Sequence, residues 1–205
     1  MGLPVRVADP EARVLAVNFR EESLPGVFTV EAEPSVDERG FFARTYSNSE
    51  FAEHGISFTI AQASVSFNSR RGTLRGMHLQ VPPHEEAKLV RCIAGSAYDV
   101  VVDLRPGSPT QLQWFGVELS AGRRKGLYIP TGLAHGFFTL EDQTELEYLI
   151  STSYEPSAAV GVRWDDPAIG IDWPGRPTVI SSRDAAFPDV DAALIRYRGP
   201  TALGS

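Results

Sequence analysis

Arg71-Gly72-Thr73-Leu74-Arg75-Gly76-Met77-His78-Leu79-Gln80 is the stretch from which the fold is read. Its polar residues Arg75, His78 and Gln80 interleave with Leu74 and Leu79 as in a half-buried strand, and its glycines admit close backbone approach. A guanidinium and an imidazole are thereby expected to face the interior of a β-structure. A cation placed there needs a partner, and a bound anion serves as well as a carboxylate. Histidine, with a reference pKa near ~6.5, takes or gives a proton at neutral pH. The same residues also suit a hydrogen-bonded core histidine beside a structural ion pair, and this stretch alone leaves both readings open.

Outward from this run the pattern repeats. Strand-like segments fall at Val27 to Glu33, Phe41 to Tyr46, Ile60 to Phe67, Ala87 to Ile93, Tyr98 to Leu104 and Gln113 to Leu119. Others follow at Gly126 to Ile129, His135 to Leu140 and Glu145 to Ile150. Pro-, Gly- and Ser-rich connectors separate them, among them Pro34 through Gly40, Arg105-Pro-Gly-Ser-Pro109 and Pro130-Thr-Gly132. Many short strands at this spacing indicate a sandwich or barrel, and an all-β jelly roll is expected. Asn48 to Gly55 reads as a short helix with a Ser or Asn cap and a glycine stop, and Asp189 to Ile195 as another. Residues 1–23, with Pro4 and Pro10, read as a loosely attached arm, residues 24–190 as one domain and residues 191–205 as a tail.

The chain of 205 residues carries 42% hydrophobic and 22% charged residues with Gly 18 and Pro 15, an ordinary globular composition rich in turn formers. Its net charge of -7 argues against a broad nucleic-acid surface, which needs a basic face to displace counterions. Cys92 is the one cysteine, so no intramolecular disulfide forms, and its strand-like setting indicates a buried, inert thiol. No run approaches a membrane-spanning length and no signal-peptide pattern opens the chain, so a cytoplasmic protein is expected.

Several side chains are candidates for chemistry. Lys88 and Lys125 are the only lysines against 17 arginines, and Lys88, set in the apolar run Ala87-Lys-Leu-Val90, is a candidate point cation inside the barrel, the alternative being a strand edge facing water. His135 follows the tight turn Pro130-Thr-Gly132 among apolar residues and is a candidate for the cavity wall, whereas His54 ends the short helix and His84 lies in a solvated loop. Tyr148 and Tyr154 are aromatics with a polar handle, and Asp184 alone passes as a capping residue. His78 has Gln80 rather than a second histidine two residues on, so no compact first shell for Zn or Fe(II) is assembled and no metal is expected.

Taken in order, a further set of motifs is more specific than any one of them. Asp37-Glu-Arg-Gly-Phe-Phe42, Gly72-Thr-Leu-Arg-Gly-Met-His-Leu-Gln80, Lys88-Leu-Val-Arg91, Tyr98 to Pro109, Ile129 to Phe137, Arg163-Trp-Asp-Asp-Pro167 with Ile171-Asp-Trp-Pro174, and Ser181 to Asp184 resemble the dTDP-4-dehydrorhamnose 3,5-epimerase family. The resemblance covers roughly residues 24 to 190. It implies a cupin-type jelly-roll barrel that inverts C3 and/or C5 of a dTDP-linked 4-keto-6-deoxyhexose with no cofactor. By resemblance His78 matches the base, Asp184 the carboxylate that holds its imidazole, Tyr148 the acid on the opposite face of the sugar, and Lys88, with Arg75, a cation lining the sugar and phosphate site. An enolate beside the C4 ketone needs a nearby positive charge, and Lys88 is expected to supply it. Arg75, Gln62, Ser64, Phe42, His135 and Tyr154 match substrate-binding positions. Arg39 matches a diphosphate contact given by a neighbouring subunit, which implies a homodimer with exchanged strands.

The sequence departs from the family in places. Ser64 and Val65 stand where the family more often has an amide and an imidazole near the sugar, and Arg44 where it often has a carboxylate near the nucleotide. These positions bear on which centre is inverted and on which sugar, a rhamnose precursor or one destined for antibiotic glycosylation. A 3,4-ketoisomerase, a non-catalytic sugar-nucleotide-binding cupin and a metal-dependent cupin are the alternatives on this architecture.

Overall fold

Period-two alternation gives nearly every strand one inward and one outward face, and two sheets close on the inward set. In the computed structural model, which describes residues 16–198, the first half runs β1 (Val17–Glu21), β2 (Phe28–Ala32), β3 (Pro34–Asp37), β4 (Gly40–Ala43), α1 (Asn48–Glu53), β5 (Gln62–Asn68), β6 (Thr73–Gln80), β7 (Lys88–Ala94) and β8 (Ser96–Asp103). There follow β9 (Trp114–Ser120), β10 (Lys125–Ile129), β11 (Leu133–Thr139), β12 (Thr144–Ile150), β13 (Ala159–Gly161), β14 (Val179–Ile180), α2 (Ser182–Ala185) and α3 (Val190–Arg198). One sheet has the order β1-β2-β10-β7-β12-β5 and the other β13-β6-β11-β8-β9, with β14 added parallel to β6. Neighbours distant in sequence, such as β10 beside β2 and β12 beside β5, give the crossovers of a jelly roll.

Between the sheets, Val90, Cys92, Leu127 and Leu146 of the first meet Ala97, Val101, Leu119 and Phe137 of the second. The outer face of the second sheet is covered by Val190, Ala193 and Leu194 of α3, packed on Met77, Leu79, Val100 and Val102. On the outer face of the first, Phe51 of α1 with Ile56 and Phe58 covers Val30, Leu89 and Tyr128. The fold is therefore an all-β jelly roll with short peripheral helices. No helix among the described residues is long and apolar enough to cross a membrane.

Three expectations are corrected. Residues 17–23 are not a loose arm: β1 pairs with β2 from Val17↔Ala32 to Glu21↔Phe28. Phe19 packs edge-on to Phe51 with ring centroids 4.9 Å apart, and the apolar pair Val17 and Phe19 was masked in sequence by the charges that follow it. Residues 1–15 of that expected arm lie outside the described residues. The boundary at residue 190 falls at the start of α3, whose buried face completes the outer core, so the expected tail begins inside the domain; residues 199–205 lie outside the described residues. Finally, the turn expected over Pro34 through Gly40 shrinks to Glu38 and Arg39, because Pro34–Asp37 pairs with β4 as a two-stranded hairpin.

One irregularity positions the site. Between Arg75 and His78, β6 takes three steps where its partner β11 takes two, from Phe137 to His135, so β6 carries one extra residue. Met77 and Leu79 point outward into the helix-covered cluster, which sends His78 and Gln80 inward; strict alternation would then turn Arg75 outward. The extra residue turns it back to the same side as His78. Gly76 sits there at φ +141°, and a Cβ on Gly136 across the ladder would stand 2.8 Å from the Arg75 carbonyl oxygen and 3.0 Å from the Gly76 Cα. Gly136→Ala is expected to lower stability by about 1–3 kcal/mol through this overpacking. It should also lower activity measured well below its melting point, because both side chains are re-aimed. A melting curve and an assay on the same sample check this; full activity in a folded variant would show that the close approach aims nothing.

Candidate active site

A cavity of about 350 Å³ opens where the inward positions of the two sheets are polar instead of apolar. Ser64, Ser66, Lys88, Tyr148 and Ile150 line it from the first sheet. Arg75, His78, Gln80, His135 and Phe137 line it from the second. A further lobe of about 370 Å³ adjoins it and shares Arg75, His78 and Arg183.

His78 is held from behind. Its Nε2 lies 2.9 Å from Oδ1 of Asp184, while Oδ2 of the same carboxylate accepts from the Gly76 amide at 3.1 Å. Asp184 is brought there by α2, a single turn whose cap is Ser181, the hydroxyl of which accepts from the Asp184 amide at 3.0 Å. Burial acts to raise the Asp184 carboxyl, but the hydrogen bond and charge of His78, the Gly76 amide and Ser181 more than offset it and hold the group below its ordinary value. The imidazole is also flanked edge-on by Phe187 at 5.5 Å, a ring that fits because Gly161 has no side chain to meet it.

On the other wall, β12 carries Tyr148. Burial, assisted by the charge of Asp99 and opposed by Arg75, pushes its phenol well above the ordinary value, so it stays protonated. His135 stands edge-on to the Tyr148 ring with centroids 6.0 Å apart, and its Nε2 lies 2.8 Å from Oδ1 of the buried Asp99.

The cations are held differently from one another. Arg75 Nε donates to Oδ1 of Asn68 at 2.8 Å, and among the described residues no carboxylate lies within ion-pair distance of it, so its charge is available to an anion. Lys88 does enter the cavity, but its Nζ is paired at 2.8 Å with Glu86, which also lines the cavity. Among the described residues no three His, Cys, Asp or Glu side chains converge as metal ligands.

Of the expected site residues, His78, Asp184, Tyr148, Lys88, Arg75, His135, Ser64 and Tyr154 come together at this cavity or directly behind it. Gln62 does not line it; its Oε1 accepts from the Tyr154 amide at 2.9 Å and so fixes the loop carrying Tyr154. Arg39 and Phe42 do not line it either. Both lie on the β3–β4 hairpin, where Arg39 is exposed and paired with Asp37 and Phe42 is 69% exposed. Gln80, pointing inward as expected, is consumed by loop backbone: its Nε2 donates to the carbonyls of His84 and Ser153, and its Oε1 accepts from Glu155. Arg44 lies 3.6 Å from Glu50, away from the cavity. The Cys92 thiol is pushed up to about 11, chiefly by burial.

Sequence reasoning missed Asp99, Glu86 and Arg183. Asp99 left a trace, since a carboxylate at an inward position of the apolar run Tyr98-Asp-Val-Val-Val102 must find a partner. Glu86 and Arg183 sit in loop and single-turn contexts that look solvated.

Comparison with known proteins agrees with this geometry. The sequence model described as dTDP-4-dehydrorhamnose 3,5-epimerase matches residues 21–192. A dTDP-4-dehydrorhamnose 3,5-epimerase of Salmonella typhimurium is 42% identical over 84% of this chain and 95% of its own length. Among solved structures, the dTDP-6-deoxy-D-glucose-3,5-epimerase of Legionella pneumophila in complex with dTDP-4-keto-L-rhamnose superposes with a TM-score of 0.82 at 34% identity, covering 88% of this chain and 97% of that one. NovW, a 4-keto-6-deoxy sugar epimerase from the novobiocin gene cluster of Streptomyces spheroides, also gives 0.82, at 38% identity and coverage of 88% and 92%. With likeness of sequence and of fold both extending over more than four-fifths of its length, the chain belongs to the dTDP-4-dehydrorhamnose 3,5-epimerase family.

Proposed function

We propose that this chain inverts C3, C5 or both of a dTDP-linked 4-keto-6-deoxyhexose by proton abstraction beside the ketone and reprotonation on the other face. The observation that carries the reading is that a carboxylate-held imidazole and a protonated phenol enter one cavity from opposite sheets. The C4 ketone acidifies the neighbouring C–H bonds, so a base of modest strength removes a proton and leaves an enolate. His78 is that base, and Asp184 stabilises the imidazolium that forms. Lys88 faces the developing oxyanion, with Glu86 fixing its ammonium. Tyr148 delivers a proton to the opposite face, which inverts the centre. Arg75 and Arg183 supply positive charge for the diphosphate near the second lobe.

The hairpin completes the assembly in this reading. Val36, Phe41 and Phe42 expose 66%, 53% and 69% of their surfaces on a two-stranded arm, an apolar display that calls for cover. A second copy of the chain provides it, and Arg39 at the tip then reaches the partner's cavity as its diphosphate contact.

Three outcomes test these roles. His78→Ala should lower both solvent deuterium exchange and inversion by about 10²- to 10⁴-fold, whereas Tyr148→Phe should keep exchange and lose inversion; normal turnover by His78→Ala would remove the base assignment. Because the phenol pKa is raised, its neutral form persists above the ordinary tyrosine value. Inversion should therefore not decline between about pH 8 and about pH 10 through loss of that proton, and a falling limb in this window in a pH–rate profile would contradict it. Mixing equal amounts of the inactive variants Arg39→Ala and His78→Ala should restore about a quarter of normal activity, since about half of the re-formed dimers would be mixed and half of their sites intact. No recovery, with mixed dimers verified by mass, would place Arg39 in its own subunit's site or in none.

A further inference from the structure

We propose that Asp99 and His135 form a second dyad that positions Tyr148 as the proton donor, Asp99 orienting the imidazole and the imidazole bracing the phenol ring. The inference rests on the assignment of Tyr148 as the acid.

The two dyads are built alike but stand in different surroundings. His135 and His78 are direct register partners on β11 and β6, so the strand ladder sets the imidazoles side by side. Each offers Nε2 to a carboxylate, at 2.8 Å for His135 and 2.9 Å for His78. The His78 side chain is 38% exposed and can trade its proton with water, whereas His135 and Asp99 are 5% and 0% exposed.

Stability does not account for the buried pair. Asp99 lies at an inward position of β8 between Ala97 and Val101, and His135 at one between Leu133 and Phe137, where apolar side chains would pack with no desolvation cost. The second oxygen of Asp99 has no hydrogen-bond partner among the described residues, so no further donor damps its charge. What the pair presents to Tyr148 is the His135 ring, edge-on at 6.0 Å and 71°. The negative charge of Asp99 adds to burial in keeping that phenol protonated. A fixed tautomer of His135, set by the carboxylate, thus becomes a fixed edge for the donor to lean on.

The expected signature separates the two half-reactions. Exchange of the sugar hydrogens with heavy water uses His78, and net inversion needs Tyr148 as well. For purified full-length Asp99→Asn acting on dTDP-4-keto-6-deoxyglucose in heavy water, the ratio of inversion to exchange should fall about tenfold or more, with KM within about twofold of normal. An unchanged ratio, whether both rates persist or both fall together, would reduce Asp99 to a structural residue and overturn the proposal. Should Asp99→Asn fail to fold, His135→Gln is read by the same ratio with the same two outcomes. A parent protein that shows no exchange at all would instead defeat the epimerase reading itself, and the proposal with it.

Discussion

One carboxylate holds the working end of this protein together. Asp184 reaches across from a single helical turn to take the freed amide of Gly76 on one oxygen and the imidazole of His78 on the other. The first bond anchors it to the point where β6 gains its extra residue, and the second sets the direction of the imidazole. Without that extra residue, Arg75 and His78 would lie on opposite faces of the strand. The local geometry of three residues therefore decides whether a cation and a base share one cavity, and Gly76 and Gly136 permit it by letting two backbones meet where side chains would collide.

The jelly roll contributes two walls whose inward positions change from apolar to polar along their length. Deep between the sheets, Val90, Val101, Leu119 and Phe137 form ordinary core. At the cavity, the same alternation presents His78 and His135 from one sheet and Tyr148 and Lys88 from the other. A reaction that takes a proton from one face of a ring and returns it to the other suits such a construction, because the two groups are held by different sheets. The environments also differ: the His78 imidazole is open to water, whereas the half-buried Tyr148 phenol is held above its ordinary value, chiefly by burial.

Much of this was legible in the residues, for a reason that also marks where legibility ends. Alternation and turn chemistry locate β5 through β12 to within a few residues, since each strand carries its own pattern of apolar and polar positions. β1 escaped because only Val17 and Phe19 bear the pattern, and β13 and β14 because two or three residues are too few to show any. His78 and Lys88 stood out as charges in apolar runs. Asp184 did not, because its partner lies 106 residues away and nothing local distinguishes it from a cap; the family resemblance alone brought it forward. Gln62 was carried over as a substrate contact and proves to clamp the loop of Tyr154, a role decided by backbone geometry that no motif encodes.

The central claim is that the ring hydrogens next to a ketone pass through solvent-exchanging groups on two faces of one cavity. Proton NMR of the product formed from dTDP-4-keto-6-deoxyglucose by the unaltered protein in heavy water tests it most directly. The expected result is one solvent deuterium at each inverted carbon, with the carbonyl still at C4. Inversion that retains the original hydrogen, or a carbonyl moved to C3, would contradict it.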